Sequence, residues 1–166
     1  MSFLIEQTRA EAQDAFTFSR RAEIAGIRLA SGTFENRLRA EDKQKNLDVT
    51  FRLTPGERKI IETTFQASTD FECAIVQPAE DAGEPLIRMQ CILVATYDLH
   101  EGYTPTEAEI NAFHKANVTF NAWPFFREFV QASACRMGVP VPPVPFVRVQ
   151  VIAEPKEPLA LETSEQ

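Results

Sequence analysis

The stretch NAWPFFREFVQASACRMGVPVPPVPF, residues 121–146, decides the fold of this chain. Between positions 123 and 137 its apolar side chains recur at steps of three and four, which predicts one face of a helix. Pro124 suits the first helical turn, and Asn121 precedes it as a cap. Gly138 is the expected end of the helix, because glycine readily adopts the left-handed conformation. The four prolines that follow exclude a helix and favour an extended segment.

Upstream of this helix, alternating apolar and polar residues predict strands. We expect these strands at residues 22–29, 47–53, 60–76 and 86–99. Gly26 marks a bulge in the first strand. Pro55 and Gly56 predict a turn between the second and third strands, because they supply a fixed and a permissive backbone conformation.

A short helix is predicted ahead of the long one. Thr104 is a suitable cap, Pro105 suits the first helical position, and Glu107 completes a capping box. A run of strands followed by helices indicates the α+β class. We therefore predict a four-stranded antiparallel sheet, arranged as a meander, with helices packed on one face.

Composition divides the chain into three parts. Residues 1–21 are predicted to form an N-terminal arm, in which segment 8–15 has the composition of a short helix. Residues 22–152 are predicted to form the folded domain, which ends in a short strand or an extended segment at 146–152. Residues 153–166 are rich in Glu, Pro, Lys and Ser, and we expect a disordered tail there.

The charge of the chain limits its partners. Its net charge of −7 and its lack of basic clusters argue against nucleic-acid binding and against an anionic membrane surface. No apolar run approaches the ~20 residues that span a bilayer, so we expect no membrane insertion. The first residues lack the pattern of a secretory signal, so we expect a cytoplasmic protein.

A search for catalytic motifs predicts that the protein is not an enzyme. The sequence has no glycine-rich phosphate loop, no HExxH and no GxSxG. Its three cysteines show no CxxC spacing and are expected to be buried thiols. We therefore predict no catalytic residue, no metal site and no cofactor.

Apolar surface is the abundant feature instead. Phenylalanine occurs 13 times in 166 residues. Most of these rings are expected in the core, and part of the apolar surface is expected to form grooves for apolar peptide segments. The apolar stripes are wide for one chain of this size, so we also expect a homo-oligomer.

The long helix resembles that of the SecB family of export chaperones. The residues that carry the resemblance are Trp123-Pro124-Phe125, Arg127-Glu128, Arg136 and the VPVPPVPF segment that follows. The resemblance implies an acidic cytoplasmic chaperone that needs neither ATP nor a cofactor. It implies a homotetramer, assembled as a dimer of dimers, with the sheets outside and the helices between them. Such chaperones hold unfolded preproteins along hydrophobic grooves and pass them to the SecA motor.

The chain departs from the typical family pattern in its fourth strand. Typical members carry an acidic residue there for docking SecA, whereas this chain has Gln90, with Arg88 two positions before it. These two residues put SecA binding in doubt. The sequence is more similar to a divergent SecB-like branch, some of whose members protect the antitoxin of a toxin–antitoxin system.

The resemblance also suggests roles for individual residues. Side chains expected to contact a client along the groove are Phe34, Val49, Phe51, Leu93, Tyr97, Phe126 and Phe129. Residues expected to fix helix packing and oligomer contacts are Trp123, Pro124, Arg127, Glu128 and Arg136. Three functions stay open: a general holdase for export, a dedicated chaperone of one client such as an antitoxin, and a small-molecule binder or enzyme with an apolar pocket.

Overall fold

A computed structural model describes residues 2–40, 42, 46–77, 84–140 and 142–153. Its elements, in chain order, are β1 (Ser2–Thr8), α1 (Arg9–Ser19), β2 (Ala22–Asn36), β3 (Asp48–Ile61), β4 (Thr64–Val76), β5 (Ile87–Leu99), α2 (Glu107–Phe113), a π-helical segment (His114–Val118), α3 (Thr119–Met137) and β6 (Phe146–Ile152). The α+β class is confirmed. The predicted tail lies outside the described residues, apart from Ala153.

The main sheet has four antiparallel strands in the order β2-β5-β4-β3. The predicted four-stranded antiparallel sheet is therefore confirmed, but its predicted meander is wrong. Three consecutive strands do form hairpins, whereas β2 lies beside β5, the last strand of this sheet, in a Greek-key order. Alternation within a strand defines its two faces but says nothing about its neighbours, and the connection after Asn36 is long enough to reach the opposite edge.

The turn predicted at Pro55-Gly56 is also wrong, because β3 continues through it. In a bulge between Pro55 and Arg58, two residues of β3 lie opposite one residue of β4, which absorbs the extra residue. β3 is an edge strand, where the missing N–H of a proline is tolerated. The chain reverses instead at Glu62, whose φ of 53° lies in the left-handed region.

The long helix begins earlier than predicted. α2, the π-helical segment and α3 follow one another without a break, so Pro124 lies inside a helix and Asn121 is not a cap. The Asn121 amide instead donates to the Tyr97 hydroxyl at 3.0 Å. The predicted end is confirmed, since Gly138 adopts φ 65° and its N–H donates to the Cys135 carbonyl.

The capping box of α2 lies two residues after its predicted position. The Thr106 hydroxyl accepts from the Glu109 N–H, and the Glu109 carboxylate accepts from the Thr106 N–H. The sequence contains two threonines two positions apart, and each is followed three residues later by glutamate. Both therefore fit the sequence pattern.

Two hydrophobic clusters hold the layers together. One lies between the sheet and α3 and includes Phe71, Met89, Trp123 and Phe126. The other joins β4 and β5 to α1 and α2, with Phe18 at its centre. The N-terminal segment is thus packed into the fold, and β1 pairs in parallel with β6 in a second, two-stranded sheet.

Candidate functional site: an apolar cleft at one end of the sheet

An open cleft of about 690 Å³ lies where the end of α3 meets the end of the main sheet. We call it the apolar cleft. It is lined by Asn36, Leu38, Leu47, Val49, Ile75, Ile87, Met137, Gly138, Val139, Pro140, Pro142 and Pro143. None of these lining side chains titrates, so they offer a ligand chiefly apolar contact.

One wall of the apolar cleft is formed by residues that are register partners on the four strands of the main sheet. Asn36, Ile87, Ile75 and Val49 are paired in one row that crosses all four strands. Alternation along each strand turns this row toward the helices. The opposite wall begins at Gly138, where the left-handed turn ends α3 and directs the proline-rich segment back along the end of the sheet.

Four of the predicted groove residues are accessible. Val49 lines the apolar cleft, and Phe51 is the next residue of β3 on the same face. Phe34 is 44% exposed on the helix-facing side of β2. Phe129 is half-buried and packs over Gly32, where an added Cβ would lie 2.6 Å from its ring. These four residues extend the apolar surface along both edge strands.

The other three predicted groove residues lie in the core. Leu93, Tyr97 and Phe126 are all buried between the sheet and the helices. Phe126 stacks on Phe71 with ring centroids 4.9 Å apart. Burial raises the pKa of Tyr97 to about 12, against the hydrogen bond from Asn121, which lowers it. Their burial removes these three side chains from a client-contacting surface of the folded chain.

The helix motif holds the proline-rich segment against α3. The Trp123 indole N–H donates to the Pro145 carbonyl at 2.9 Å. The Arg127 guanidinium lies 4.9 Å from the centre of the Phe146 ring, a cation–π contact. The other motif residues with predicted packing roles are exposed on the helix surface: Pro124, Glu128 and Arg136. Their role in oligomer contacts stays a prediction.

Gln90 lies on the opposite, outer face of the sheet. Its amide donates to the Glu72 carboxylate at 2.7 Å, and the Arg88 Nε lies 3.5 Å from the same oxygen. The Glu72 carboxylate, which lies opposite Gln90, is therefore already engaged by two neighbours. This arrangement gives SecA docking no additional support.

Most of the apolar cleft is not predictable from the sequence alone. Leu47, Ile75 and Ile87 were recognised as strand residues, but the row that joins them depends on the strand order. Met137 was recognised on the apolar face of the helix. The available signal was an apolar residue near the end of each of three strands, followed by a helix that ends in prolines.

A second group of polar residues surrounds the π-helical segment. The Lys115 ammonium binds the Glu11 carboxylate at 2.9 Å, which joins this segment to α1. Arg58 binds Glu107 and Asn111, which joins β3 to α2. A hydrogen bond from the Thr8 N–H holds the pKa of Glu11 below its ordinary value, against burial, and Lys115 lowers it further. These contacts join the elements and engage the charged groups of this region with one another.

His114 is buried beside this group, and its Nε2 lies 2.7 Å from the Ser68 carbonyl oxygen. Because a carbonyl oxygen can only accept, Nε2 carries the proton. Burial lowers the pKa of His114, against the bond to Ser68, which raises it, and the nearby Arg58 charge lowers it further. The side chain is therefore neutral in the folded protein at neutral pH.

The stability of the protein is expected to fall as the pH drops below about 6.5, the ordinary pKa of histidine. Below this pH the histidine binds a proton in the unfolded state but stays neutral in the folded state, which favours unfolding. The contribution of neutral His114 to the unfolding free energy is therefore fully present above about pH 6.5. One such group changes the unfolding free energy by at most about 1.4 kcal/mol per pH unit. Urea unfolding between pH 8 and pH 5 measures this slope, with ~1–3 kcal/mol/M expected for m.

The matched variants for this measurement are His114→Gln and His100→Gln. Glutamine keeps an N–H donor for Ser68 but does not titrate, so the first variant should lose the slope. His100 is exposed, and its replacement should leave the slope as it is. Equal slopes in both variants would assign the pH dependence to other groups.

The cysteines differ in their surroundings. Burial raises the pKa of both Cys73 and Cys91 to about 12, so their thiols are protonated at neutral pH. Cys135 is exposed on α3, contrary to the expectation of three buried thiols. Among the described residues, no group of three or more His, Cys, Asp or Glu side chains is placed to hold a metal ion. Within the same ranges, no helix is long and apolar enough to cross a membrane.

Of the comparisons with known proteins, the one with solved structures supports this architecture. No protein-family model matches the sequence, and no curated protein matches it significantly. A solved SecB-like chaperone from Mycobacterium tuberculosis, in complex with a ChAD peptide from the HigA1 antitoxin, is similar to this chain with a TM-score of 0.68. The two are 20% identical, and the match covers 81% of this chain and 96% of that one.

A second solved structure, a protein of unknown function from Streptococcus agalactiae, gives a TM-score of 0.39 at 11% identity. That match covers 75% of this chain and 97% of the other, and its score is too low to support an argument.

The similarity to the Mycobacterium tuberculosis structure shows that this chain has a SecB-like fold. The resemblance predicted from the helix motif is confirmed at the level of the fold.

Proposed function

We propose that this protein is an ATP-independent holdase chaperone that binds extended apolar segments of unfolded polypeptides. The observation that carries the proposal is the apolar cleft, an open site of aliphatic and proline side chains in a SecB-like fold. A client segment would bury its apolar side chains against Val49, Met137 and Val139. Burial gains roughly 25 cal/mol per Å² and has no directional requirement, so many sequences can bind.

The same site supports binding without catalysis. Its described lining residues include no acid, base or nucleophile, so the apolar cleft itself has no group for proton transfer or covalent chemistry. Binding by apolar burial also needs no nucleotide and no cofactor. The third function, a small-molecule binder or enzyme, would require an enclosed site around a titratable group. His114 is engaged with Ser68 and does not line the apolar cleft.

Oligomer formation is part of the proposal. Ile24, Leu29 and Phe34 face the helix side of the sheet on β2, yet all three are exposed. Exposed apolar side chains in a row along an edge strand favour contact with another protein surface. We propose that a homotetramer, assembled as a dimer of dimers, covers part of this surface and leaves the apolar cleft open.

A general role in export is the first candidate biological context. A cytoplasmic holdase would keep preproteins unfolded until they are translocated. The Glu72 carboxylate on the outer face, engaged by Gln90 and Arg88, provides no free acidic site for SecA. We therefore expect weak SecA binding or none.

A dedicated chaperone of one client is the second candidate. The similar Mycobacterium tuberculosis structure holds a peptide from an antitoxin, which supports this alternative. The client would then be one protein with an apolar recognition segment, such as the antitoxin of a toxin–antitoxin system. Capture of the full-length protein from its own cells, followed by native mass spectrometry, separates the two candidates. Many unrelated unfolded proteins would favour export, and one dominant partner would favour a dedicated client.

Val49→Glu is expected to reduce suppression of client aggregation at least tenfold, because it places a carboxylate in an apolar site. Val139→Glu tests the opposite wall and should act in the same way. The assay measures light scattering of a chemically unfolded client mixed with the full-length protein at stoichiometric ratio, without nucleotide. A wild-type protein that fails to slow aggregation would refute the holdase proposal.

The matched control for this assay is Thr50→Glu. Thr50 follows Val49 on β3 and is exposed on the outer face of the sheet, so it introduces the same charge on the opposite side. It should keep wild-type activity. Circular dichroism of all three variants should show the wild-type spectrum. Equal loss of activity in Val49→Glu and Thr50→Glu would place the client site elsewhere.

A further inference from the structure

β6 is an edge strand with an open side. It pairs with β1 on one side only, and the described backbone forms no hydrogen bond with its other side. Phe146, Val149 and Val151 are 67%, 41% and 55% exposed. The unpaired N–H and C=O groups of such an edge can accept another strand.

The edge strand β3 of the main sheet carries features that prevent pairing with another strand. β3 carries Pro55, a bulge between Pro55 and Arg58, and the charged side chains of Arg52 and Lys59. Proline, bulges and lysine are the usual devices that prevent edge-to-edge pairing. β6 has no proline and no lysine, its register with β1 is continuous, and Arg148 is its one charged residue.

The small sheet is covered by helices at β1 but not along the second half of β6. A two-stranded sheet needs additional strands or a packed helix to be stable. The start of β6 is held on α3 through Pro145 and Phe146. Val149 and Val151 share a face with the buried Ile5 and Gln7 of β1, but remain exposed themselves. The second half of β6 therefore presents an apolar face and a free edge together.

We infer that two copies of this chain join through β6, in antiparallel orientation around Val149, to form a four-stranded sheet β1-β6-β6-β1. In this register Val149 lies opposite Val149 of the second copy, and Val147 lies opposite its Val151. The central row then contains four aliphatic side chains, Ile5 and Val149 from each copy. The contact is isologous, as a two-fold symmetric dimer requires.

The polar face of β6 fits the same register. Arg148 lies opposite Gln150 of the second copy, so no like charges meet. Gln150 is paired with Glu6 of its own β1, which brings a carboxylate close to the incoming arginine. Shifting the register by one residue would place Val149 opposite a polar residue of the second copy. The aliphatic side chains would then no longer lie opposite one another, and Arg148 would no longer lie opposite Gln150. A client of arbitrary sequence would use the free edge but would not supply this charge match, which favours a second copy.

Charge exchange at Val149 tests the contact. Val149→Glu and Val149→Lys each place two like charges opposite each other, and each should weaken the self-association measured by sedimentation of the full chain at least tenfold. An equimolar mixture of the two variants should associate again. The control is Ile92→Glu, which alters an exposed aliphatic residue on the outer face of the main sheet and should associate normally.

Disulfide trapping tests the register itself. In a Cys135→Ser background, Val149→Cys should cross-link two copies on oxidation, because opposed antiparallel residues lie about 4.5–5.5 Å apart at Cα. Val151→Cys should not link to itself, because its equivalents are separated by four residues, about 14 Å. Equal cross-linking of both variants, or a Val149→Cys protein that stays unlinked, would overturn the proposed pairing.

This inference is independent of client binding at the apolar cleft, but it shares with the proposed homotetramer the requirement that the chain self-associates. A wild-type chain that stays monomeric throughout a concentration series would overturn it, and so would unchanged association of both charge variants. If Val149→Glu keeps its mass but no longer protects a client, the free edge binds clients and the self-pairing is wrong. Loss of client protection in Val49→Glu alone would leave the β6 contact intact.

Discussion

Replacing Phe126 with alanine is expected to lower the unfolding free energy by about 3–5 kcal/mol, the usual cost of truncating a buried phenylalanine. Phe126 is fully buried between α3 and the sheet. Its ring stacks on Phe71 at 4.9 Å and meets Trp123 edge-on at 5.3 Å. Phe51 approaches it from the edge strand at 6.5 Å. Alanine would leave a cavity surrounded by rings on three sides.

Urea unfolding of the variant beside the wild type measures this loss. Phe125→Ala is the matched control, because Phe125 is the preceding residue of α3 and is 43% exposed. Substitutions at such exposed sites usually change stability by about 0.5 kcal/mol or less. Equal losses in the two variants would mean that α3 does not pack on the sheet through the face described here.

The Phe126 result also separates core from client surface. This residue was predicted to line a groove, whereas its burial makes it part of the protein interior. Phe126→Ala should therefore lose client protection only in proportion to the protein that unfolds. Val49→Glu should lose protection while the chain stays folded, because Val49 lines the open cleft.

Local sequence signals predicted the helices and strands well where a residue type is compatible with only one local conformation. Gly138 ends the long helix because it adopts a left-handed φ, and prolines after it prevent continuation. Alternation predicted the strands because each strand of the main sheet has one face toward the helices. The aromatic and arginine motif of α3 predicted the SecB-like fold.

Local signals failed where the outcome depends on distant parts of the chain. Pro55-Gly56 has the composition of a turn, but at the sheet edge it forms a bulge within one strand. The pairing of β1 with β6 joins residues at opposite ends of the described chain, and no periodicity encodes it. The order β2-β5-β4-β3 is likewise a property of tertiary packing.

The candidate site was predicted only in part for the same reason. Alternation identifies which side chains face the helices, but it does not show where the helices end. Leu93 and Tyr97 lie beneath helices and are buried, whereas Val49 lies beyond the end of α3 and lines the apolar cleft. Distinguishing groove from core therefore needs the position of α3 across the sheet.

Phe18→Ala is expected to have a similarly large effect, about 3–5 kcal/mol, although residues 1–21 were predicted to be an arm. Phe18 is fully buried and stacks on Phe113 with centroids 4.2 Å apart. Its ring also meets Phe65 at 5.1 Å, so one side chain joins α1, α2 and β4. Removing it would open the second hydrophobic cluster at its centre.

Thermal and urea unfolding of Phe18→Ala and Phe16→Ala tests this role. Phe16 lies on the same helix but is 55% exposed, so its replacement should have little effect. If α1 were a loosely attached arm, both variants would be as stable as the wild type. A large loss for Phe18→Ala alone would instead show that α1 belongs to the cooperative unit, since a detached helix cannot lower the stability of the rest. Because α1 also contacts the π-helical segment through Glu11 and Lys115, the same loss should loosen that segment.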